Sequence, residues 1–464
     1  MELFIIIIFV LGYLAITLEH NLKLDKLIPA LAMMAICWAI VALGIDSFSN
    51  WFDSGNHILV DGFSSMSHDD KMHLAEETLL HHLGKTAEIL VFLLGAMTIV
   101  EIIDYFNGFS TIKGFIKTHR KKKILWIFSI LAFVLSAIID NLTATIVLIS
   151  ILQKIIKNRD QRVWFAALII ISANAGGAFS PIGDVTTTML WIADKVSTVK
   201  LFAYLFIPSL LCMVVPTFIA SFLQPFQGSI NSVEEVDVQK QKHSATMLYL
   251  GLAAIVFVPI FKMITHLPPY VGMMLSLAFV ATFAEILSRR KFSLTDFNTM
   301  EESIEHNYHS PVQSSLSKIE MTSILFFLGI LMAVAALESL GILFGFADTL
   351  KESIPLLGTE LQGTKVSDTV VMLLGIGSAV IDNVPLVAAS LGMFSEPLDN
   401  PLWHFMAFSA GTGGSMLIIG SAAGVVAMGM EKIDFFWYLK KISWLALIGF
   451  LVGSASFMIM RELI

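Results

Sequence analysis

Long apolar runs recur along the whole chain and are separated by polar segments. A helix that crosses a membrane needs about 20 mainly apolar residues, so this pattern predicts an all-α polytopic membrane protein. The predicted spans are 3–19, 27–45, 86–106, 124–157, 163–194, 200–223, 246–265, 270–288, 320–347, 366–395, 402–430 and 435–460.

Some of these runs are not simple spans. The stretches 124–157 and 366–395 are long and carry Asp-Asn near the middle, whereas 163–194 and 402–430 are interrupted by glycine-rich polar sequence. Adjacent glycines, followed by proline and another glycine, are expected to break the ladder of helical hydrogen bonds. We therefore predict two helical hairpins and two discontinuous transmembrane helices.

The composition supports a membrane protein and excludes a soluble globular one. Of the 464 residues, 56% are hydrophobic and 14% are charged, and the mean hydropathy is +0.79. The net charge of −8 adds little because the charges sort by loop, and no nucleic-acid partner is expected. The apolar run after Glu2 lacks an Ala-x-Ala-like cleavage site, so we interpret it as a first span rather than a removed signal peptide.

Charged residues between the spans predict the orientation, because loops rich in Lys and Arg stay cytoplasmic. Loop 107–123 is basic and should be cytoplasmic, whereas the N-terminus and the acidic loop 46–85 should lie outside the inner membrane of a bacterium. Basic residues at both ends of 124–157 predict a re-entrant hairpin entering from the cytoplasm, with Asp140 at its tip. The stretch 366–395 fits a hairpin entering from outside.

A motif repeats in the two halves of the chain. Ser136–Asn141 matches Ser378–Asn383, and both segments contain Ile-Asp-Asn. Further matches pair Phe92–Gly95 with Phe326–Gly329, Ser172–Gly177 with Ser409–Gly414, and Gly183-Asp184 with Gly420-Ser421; the first of these aligns Asp104 with Glu338. Because the hairpins approach from opposite faces, the matches predict inverted repeats around a site at the membrane midplane.

The chain is accordingly divided at the repeat boundaries. Residues 1–85 would supply scaffold helices and an outer loop, 86–223 the first transport repeat, 224–319 a linker with further scaffold helices, and 320–464 the second, inverted repeat. The stretches 225–245 and 289–319 are polar and are predicted to be solvated. The outer loop carries His57, His68, His73, His81 and His82. We interpret it as a solvated loop, and a metal-binding or pH-sensing role stays open.

Acidic residues inside apolar runs are the strongest functional signal. A carboxylate at the bilayer centre costs about 2.5–3.5 kcal/mol on insertion scales, so such acids are functional by default. Carboxylates, amide and backbone carbonyls and hydroxyls suit a hard cation such as Na⁺. The Asp-Asn pairs could also simply cap half-helices, a role compatible with ion binding. The candidate proton- and sodium-binding residues are Asp140, Asn141, Thr143, Asn174, Asp184, Thr187, Asp382, Asn383, Thr412 and Ser415. The predicted Na⁺ or Li⁺ ligands among them are Asp140, Asn141, Asp184, Asp382 and Asn383.

The apolar runs place several acids, and no Lys or Arg, at the predicted centre. Such a site favours a monovalent cation and protons over an anion. Desolvation and a neighbouring carboxylate both raise a carboxyl pKa, whereas bound Na⁺ lowers it. A site that is either protonated or sodium-loaded as it alternates between faces produces antiport. The sequence therefore predicts a transporter rather than an enzyme, with no cofactor and with Na⁺ or Li⁺ and H⁺ as the transported ions.

These motifs resemble those of the NhaD-type sodium/proton antiporters, which belong to a superfamily that also contains divalent-anion/sodium symporters and arsenite permeases. The resemblance rests on the paired Ser-Ala-x-Ile-Asp-Asn segments, on Ser172–Thr187 and on Gly411–Ser415. It implies a homodimer with scaffold and transport domains and elevator-like movement. The anion symporters carry Ser-Asn-Thr where this chain has Asp-Asn. Pro385 stands where the first hairpin has Thr143, so the two tips need not coordinate alike.

The leading hypothesis is a Na⁺(Li⁺)/H⁺ antiporter that exports sodium on proton influx. A sodium-coupled symporter of a dicarboxylate or inorganic anion could share the fold, and it would take up Na⁺ with its substrate without obligatory proton exchange. An intramembrane aspartyl protease is disfavoured, because its Gly-x-Gly-Asp signature is not met by Pro181-Ile182-Gly183-Asp184.

Overall fold

The computed structural model describes residues 1–53, 58–114, 116, 118–230, 243–292, 310–343, 345, 366–380 and 382–464, and this part of the chain is nearly all helical. The helices are α1 (Glu2–Thr17), α2 (Glu19–Leu22), α3 (Leu27–Leu43), α4 (His68–Tyr105), α5 (Ser110–Lys113), α6 (Lys121–Ile139), α7 (Asn141–Ile155), α8 (Arg159–Ala178), α9 (Val185–Ile192), α10 (Thr198–Ala220), α11 (Ser244–Thr265), α12 (Pro269–Phe292), α13 (Pro311–Leu316), α14 (Met321–Ser339), α15 (Asp368–Gly377), α16 (Asn383–Met393), α17 (Pro401–Gly413), α18 (Ala422–Glu431), α19 (Phe435–Lys441) and α20 (Ser443–Leu463). Short 3₁₀ turns cover Ile45–Ser47, Phe63–Ser65 and Gln224–Phe226. The strands β1 (Phe52–Asp53) and β2 (Ile58–Leu59) pair antiparallel, with Phe52 opposite Leu59.

Within the described ranges, 7 helices are long and apolar enough to cross a membrane. They are α4, α6, α10, α11, α12, α14 and α20. This finding confirms the prediction of an all-α polytopic membrane protein.

Helix α4 begins much earlier than the sequence pattern predicts. It starts at His68 and has 38 residues, so the second half of the predicted loop 46–85 is helical. The Ser67 hydroxyl caps the helix by accepting a hydrogen bond from the Asp70 amide at 3.2 Å. The acidic side chains of the first turn interact favourably with the positive end of the helix dipole. At about 1.5 Å per residue α4 is ~57 Å long, well beyond the ~30 Å of a hydrocarbon core. The polar residues of α4 indicate which part of the helix lies outside the bilayer, but they do not interrupt the helix.

Other predicted boundaries also shift. The predicted span 435–460 is two helices, α19 and α20, which meet at Ile442. The predicted linkers 225–245 and 289–319 are shorter than expected, because α11 begins at Ser244, α12 continues to Phe292 and α13 lies within the second linker. Their middle parts, 231–242 and 293–309, lie outside the described residues, as do residues 346–365.

Each long or glycine-rich run is interrupted, as predicted. Helices α6 and α7 pack against each other and are separated by Asp140 alone, whose φ of +84° turns the chain. Helix α8 ends at Ala178 and α9 begins at Val185. In the second half, gaps separate α15 from α16 and α17 from α18. Whether the two Asp-Asn segments are re-entrant within the bilayer stays a prediction.

The prediction that Gly176 and Gly177 break the helix is wrong, because both lie inside α8. They allow close packing instead. A Cβ on Gly176 would collide with the carbonyl oxygen of Phe133, and a Cβ on Gly177 would lie 2.6 Å from the carbonyl oxygen of Gly183. The break comes after them, across the segment 179–184 that contains Pro181.

The matched segments of the two halves make matching contacts. The Ser136 hydroxyl donates to the Ala173 carbonyl at 2.6 Å, and the Ser378 hydroxyl donates to the Ala410 carbonyl at 3.0 Å. A further pair of equivalent positions agrees in backbone geometry, since Asp184 and Ser421 occupy the N-cap positions of α9 and α18 with φ, ψ of −149°, 147° and −147°, 152°. The sequence match therefore extends to the packing of each broken helix against its Asp-Asn segment.

The helices pack in two groups. The first group consists of α1, α3, α4, α11, α12, α13 and α14. The second consists of α6 to α10 and α15 to α20. In the second group α10 packs closely along α20, where Gly449 and Gly453 lie directly against Pro216 and Pro208; small residues let membrane helices approach in this way. The groups meet where α14 contacts α16 and where α4 contacts α9.

Candidate cation site

The carboxylate of Asp184 lies at the centre of the polar residues in the second helix group. Asp184 precedes α9 in extended conformation and is only 3% exposed. Its Oδ1 accepts a hydrogen bond from Asn141 Nδ2 at 3.1 Å, and its Oδ2 accepts one from Asn383 Nδ2 at 3.1 Å. The asparagines that follow the two repeated aspartates therefore both donate to the Asp184 carboxylate. This carboxylate connects both Asp-Asn segments to the first broken helix.

Further polar side chains complete this cluster. The Thr186 hydroxyl also donates to Asp184 Oδ2. Asn141 Nδ2 lies 3.1 Å from Asn174 Oδ1, and Asn174 Nδ2 donates to the Ser421 hydroxyl at 2.9 Å. All of these side chains are buried. The cluster offers carboxylate, amide and hydroxyl oxygens, which are the ligands that hard cations prefer, and polar groups at this depth must be satisfied locally.

Asp140 lies beside the cluster with its carboxylate turned toward its own helix. It accepts from the Thr143 amide at 2.8 Å and from the Thr143 hydroxyl at 2.8 Å. These bonds cap α7, in agreement with the capping role that the sequence left open. Asp140 remains partly exposed, so the capped carboxylate also borders open space.

Asp382 differs from its counterpart in the first repeat. It precedes α16 but makes no capping hydrogen bond through its side chain. Its Oδ2 lies instead 3.4 Å from the ammonium of Lys26. The prediction of a centre without Lys or Arg is therefore wrong. Lys26 directly precedes α3, far from Asp382 in sequence. Packing of α3 against α14 brings its side chain to the second Asp-Asn segment.

Three predicted residues are placed outside the cluster. The Thr187 hydroxyl donates to the Gly177 carbonyl at 3.2 Å, that of Thr412 to the Phe408 carbonyl at 2.6 Å, and that of Ser415 to the Thr412 carbonyl at 2.6 Å. Each satisfies nearby backbone. The second broken helix reaches Asp184 through Gly411, where a Cβ would lie 3.5 Å from Asp184 Oδ2.

Sequence reasoning missed three contributors, namely Lys26, Thr186 and Ser421. The sequence could have indicated Ser421, because it aligns with Asp184 in the repeat. It could also have indicated Thr186, because this residue lies two positions after Asp184. Lys26 carried no such signal, because a lysine at the start of an apolar run is usually an interfacial residue.

The chain is similar to several known transporters over most of its length. A family model described as "Citrate transporter" matches residues 5–403. "Sodium/proton antiporter 1" of Arabidopsis thaliana is 38% identical over 98% of this chain and 72% of the relative. "Sodium/proton antiporter 2" of the same plant is 35% identical over 97% of this chain and 98% of the relative. "Na(+)/H(+) antiporter NhaD" of Vibrio cholerae is 30% identical over 98% of this chain and 91% of the relative. The chain belongs to the NhaD-type sodium/proton antiporter family.

In the described part of this NhaD-type family member, two cavities lie between the helix groups. The first, of about 460 Å³, includes among its lining residues Met97, Val100, Glu101, Asp104, Thr143, Ile146, Lys318 and Glu320. The second, of about 420 Å³, includes His81, His82, Lys85, Lys195, Leu331, Val334, Ala335, Glu338 and Ala388. Met97, Val100, Glu101 and Asp104 align with Leu331, Val334, Ala335 and Glu338 in the repeat register. Repeat-related faces of α4 and α14 thus line different cavities, and each face carries an acid at the same place.

The described histidines of the predicted outer loop lie on α4, where the ring centroids of His81 and His82 are 5.8 Å apart. His68 Nδ1 lies 2.7 Å from Asp46 Oδ2, and this hydrogen bond holds the pKa of Asp46 below its usual value. His73 faces Glu77 at 3.7 Å, whereas His57 lies outside the described residues. In the part of the chain that the structure describes, no three His, Cys, Asp or Glu side chains are arranged to hold a metal ion.

Proposed function

We propose that this protein is a secondary active Na⁺(Li⁺)/H⁺ antiporter that exports sodium in exchange for protons. The observation that carries the proposal is the buried Asp184 carboxylate, held by Asn141 and Asn383 from both repeated tips. A carboxylate among amide and hydroxyl groups takes either a proton or a hard monovalent cation, and competition between the two couples their movement. The relatives named as sodium/proton antiporters support the same exchange.

The asparagine amides can stabilise the Asp184 carboxylate both without and with a bound Na⁺. In the present arrangement Asn141 and Asn383 turn their N–H groups to the carboxylate. Rotation of either amide would present its carbonyl oxygen instead, because an Asn side chain is donor on one side and acceptor on the other. A Na⁺ at the carboxylate would then have Asp184 and amide oxygens as ligands, with Asp140 and Asp382 beside them. Thr143, Asn174, Thr187, Thr412 and Ser415 remain proposed supporting residues.

Alternating access fits the way the two halves are built. We infer inverted repeats within 86–223 and 320–464 from the matching serine contacts and caps. The two cavities, lined by repeat-related acids, would be the entrances from opposite sides of the membrane. The basic loop 107–123 would lie in the cytoplasm, with the N-terminus and loop 46–85 outside, in the inner membrane of a bacterium. A homodimer with elevator-like movement is the arrangement that the family resemblance implies.

A second candidate is sodium-coupled symport of an anion, and the description "Citrate transporter" of the family model favours it. An anion site needs unpaired positive charge or several helix N-termini directed at the ligand. Lys26 beside the centre is already paired with Asp382, and the N-termini of α7 and α9 already face carboxylates, since Asp140 caps α7 and Asp184 directly precedes α9. Antiport therefore accounts better for the charges.

The test is a flux measurement in proteoliposomes that hold an imposed pH gradient and an interior pH dye. Antiport predicts saturable dissipation of the gradient by Na⁺ or Li⁺, but not by choline, for the wild type and much less for Asp140→Asn. Proton movement that required an added dicarboxylate or oxyanion would overturn antiport in favour of symport. Wild-type rates in Asp140→Asn, Asp184→Asn and Asp382→Asn alike would overturn the site.

A further inference from the structure

The contact between Lys26 and Asp382 joins the two helix groups beside the candidate site. The Lys26 ammonium lies 3.4 Å from Asp382 Oδ2, and the side chains are 22% and 15% exposed. The same ammonium lies 4.5 Å from the ring centroid of Phe326 on α14, an arrangement typical of a cation–π contact. The lysine thus belongs to the first helix group, whereas its carboxylate partner belongs to the second.

The reason why Asp382 accepts a lysine lies three residues further along the chain. At the first tip, Thr143 supplies both an amide and a hydroxyl to Asp140. The equivalent position at the second tip is Pro385, and proline has neither a backbone N–H nor a side-chain hydroxyl. Asp382 accordingly makes no side-chain cap. The Thr-to-Pro difference leaves this carboxylate available to a partner from another helix.

A carboxylate at this depth requires compensation of its charge. We propose that Lys26 is a tethered counter-cation for Asp382, a positioning residue that occupies the second tip when Na⁺ is absent and that Na⁺ must displace. This inference rests on the proposed function in that Na⁺ is taken as the ion that loads the centre. Because the Lys26–Asp382 pair connects the two helix groups, binding of Na⁺ would also break a contact between them.

Binding of Na⁺ to the purified full-length protein tests the proposal without requiring transport. Thermal unfolding is followed during titration with NaCl, with choline chloride holding the ionic strength, because a ligand that binds the folded state raises Tm according to its affinity. Lys26→Met should lower the half-saturating Na⁺ concentration about five-fold, the range expected for losing one partly exposed ion pair. Lys26→Arg should stay close to the wild type. An unchanged or higher half-saturating concentration in Lys26→Met overturns the proposal.

Lys122 provides a matched control. Its ammonium also lies 4.5 Å from the centroid of an aromatic ring, that of Phe222, and no acidic partner is found for it among the described residues. Lys122→Met should leave the Na⁺ titration unchanged. A shift equal to that of Lys26→Met would mean that loss of a ring contact, rather than of the ion pair, causes the effect, and it would overturn the proposal.

Pro385→Thr offers a second test, in which it is combined with Lys26→Met in a double-mutant cycle. It would give Asp382 the local partners that Thr143 gives Asp140, so adding Lys26→Met to this background should change Na⁺ affinity by less than about two-fold. If the effects of Pro385→Thr and Lys26→Met on Na⁺ affinity are fully additive, the proposal is overturned.

Charge removal at Asp382 gives a further readout, now in flux. Asp382→Asn leaves an unpaired ammonium that repels Na⁺, so Lys26→Met should partly restore exchange to Asp382→Asn by lowering the KM for Na⁺ more than it changes kcat. No restoration contradicts the proposal. If Na⁺ binding shifts as expected but no variant, including the wild type, exchanges protons, then antiport fails while the lysine inference stands.

Discussion

Asp184 accepts hydrogen bonds from two asparagines and a threonine, and this pattern makes its charge hard to replace. An asparagine at position 184 would turn an N–H group toward donors that already need an acceptor. Each buried donor left unpaired costs about 1–3 kcal/mol, and 1.4 kcal/mol corresponds to a factor of ten. The two oxygens of this one carboxylate therefore hold both Asp-Asn segments in place, besides their proposed role in binding the ion.

We expect Asp184→Asn to lower kcat/KM for Na⁺ by about 100-fold or more, measured as Na⁺-triggered proton flux in proteoliposomes. Asp194→Asn is the control, because Asp194 is 76% exposed and pairs with Lys262 at the surface, where a pair contributes little. It should stay within about two-fold of the wild type. Retention of full exchange by Asp184→Asn would remove Asp184 from the ion path.

The broken helices depend on glycines at positions where backbones nearly touch. Gly176 faces the Phe133 carbonyl and Gly413 faces the Gly375 carbonyl, so a Cβ at either would force the broken helix away from its Asp-Asn segment. These positions are equivalent in the repeat. The same close approach in both halves is what brings Asn141 and Asn383 within reach of Asp184.

Gly176→Ala and Gly413→Ala should each destabilise the protein by about 1–3 kcal/mol, as overpacking does. Gly429→Ala is the control, because no atom lies within 4 Å of its would-be Cβ and alanine is favoured over glycine in a helix by about 0.5–1 kcal/mol. Thermal unfolding in detergent should rank Gly429→Ala at or above the wild type and the other two below it. If all three melt alike, the close approach is not limiting.

Sequence patterns located the interruptions in the helices but not their causes. Asp140 and the region around Pro181 were identifiable because a charge or a proline in an apolar run has few explanations. The adjacent glycines were misassigned, since glycine both weakens a helix and permits close packing, and only the neighbouring backbone decides between the two. The start of α4 at His68 was missed because hydropathy reports the membrane boundary, whereas capping at Ser67 determines where the helix begins.

At the scale of the whole molecule, the internal repeat predicted which residues would converge. It could not predict Lys26, because this residue lies outside both repeats. Matched motifs predicted that Asn141, Asp184 and Asn383 converge, and their side chains are in hydrogen-bonding contact. Lys26 comes from the first helix group and has no counterpart in the repeat register. A contact between residues so distant in sequence depends on how α3 packs on α14, and a single sequence holds no local signal for that.

Competition between Na⁺ and protons for one set of carboxylates is what couples the two ions in the proposed antiport. Isothermal titration of the purified protein with NaCl, in two buffers of different ionisation enthalpy at the same pH, tests it most directly, because ion binding to a shared site releases protons to the buffer. We expect a buffer-dependent heat for the wild type, with net proton release that is lost in Asp184→Asn. Saturable Na⁺ binding with identical heats in both buffers would contradict competition, and antiport by this site with it.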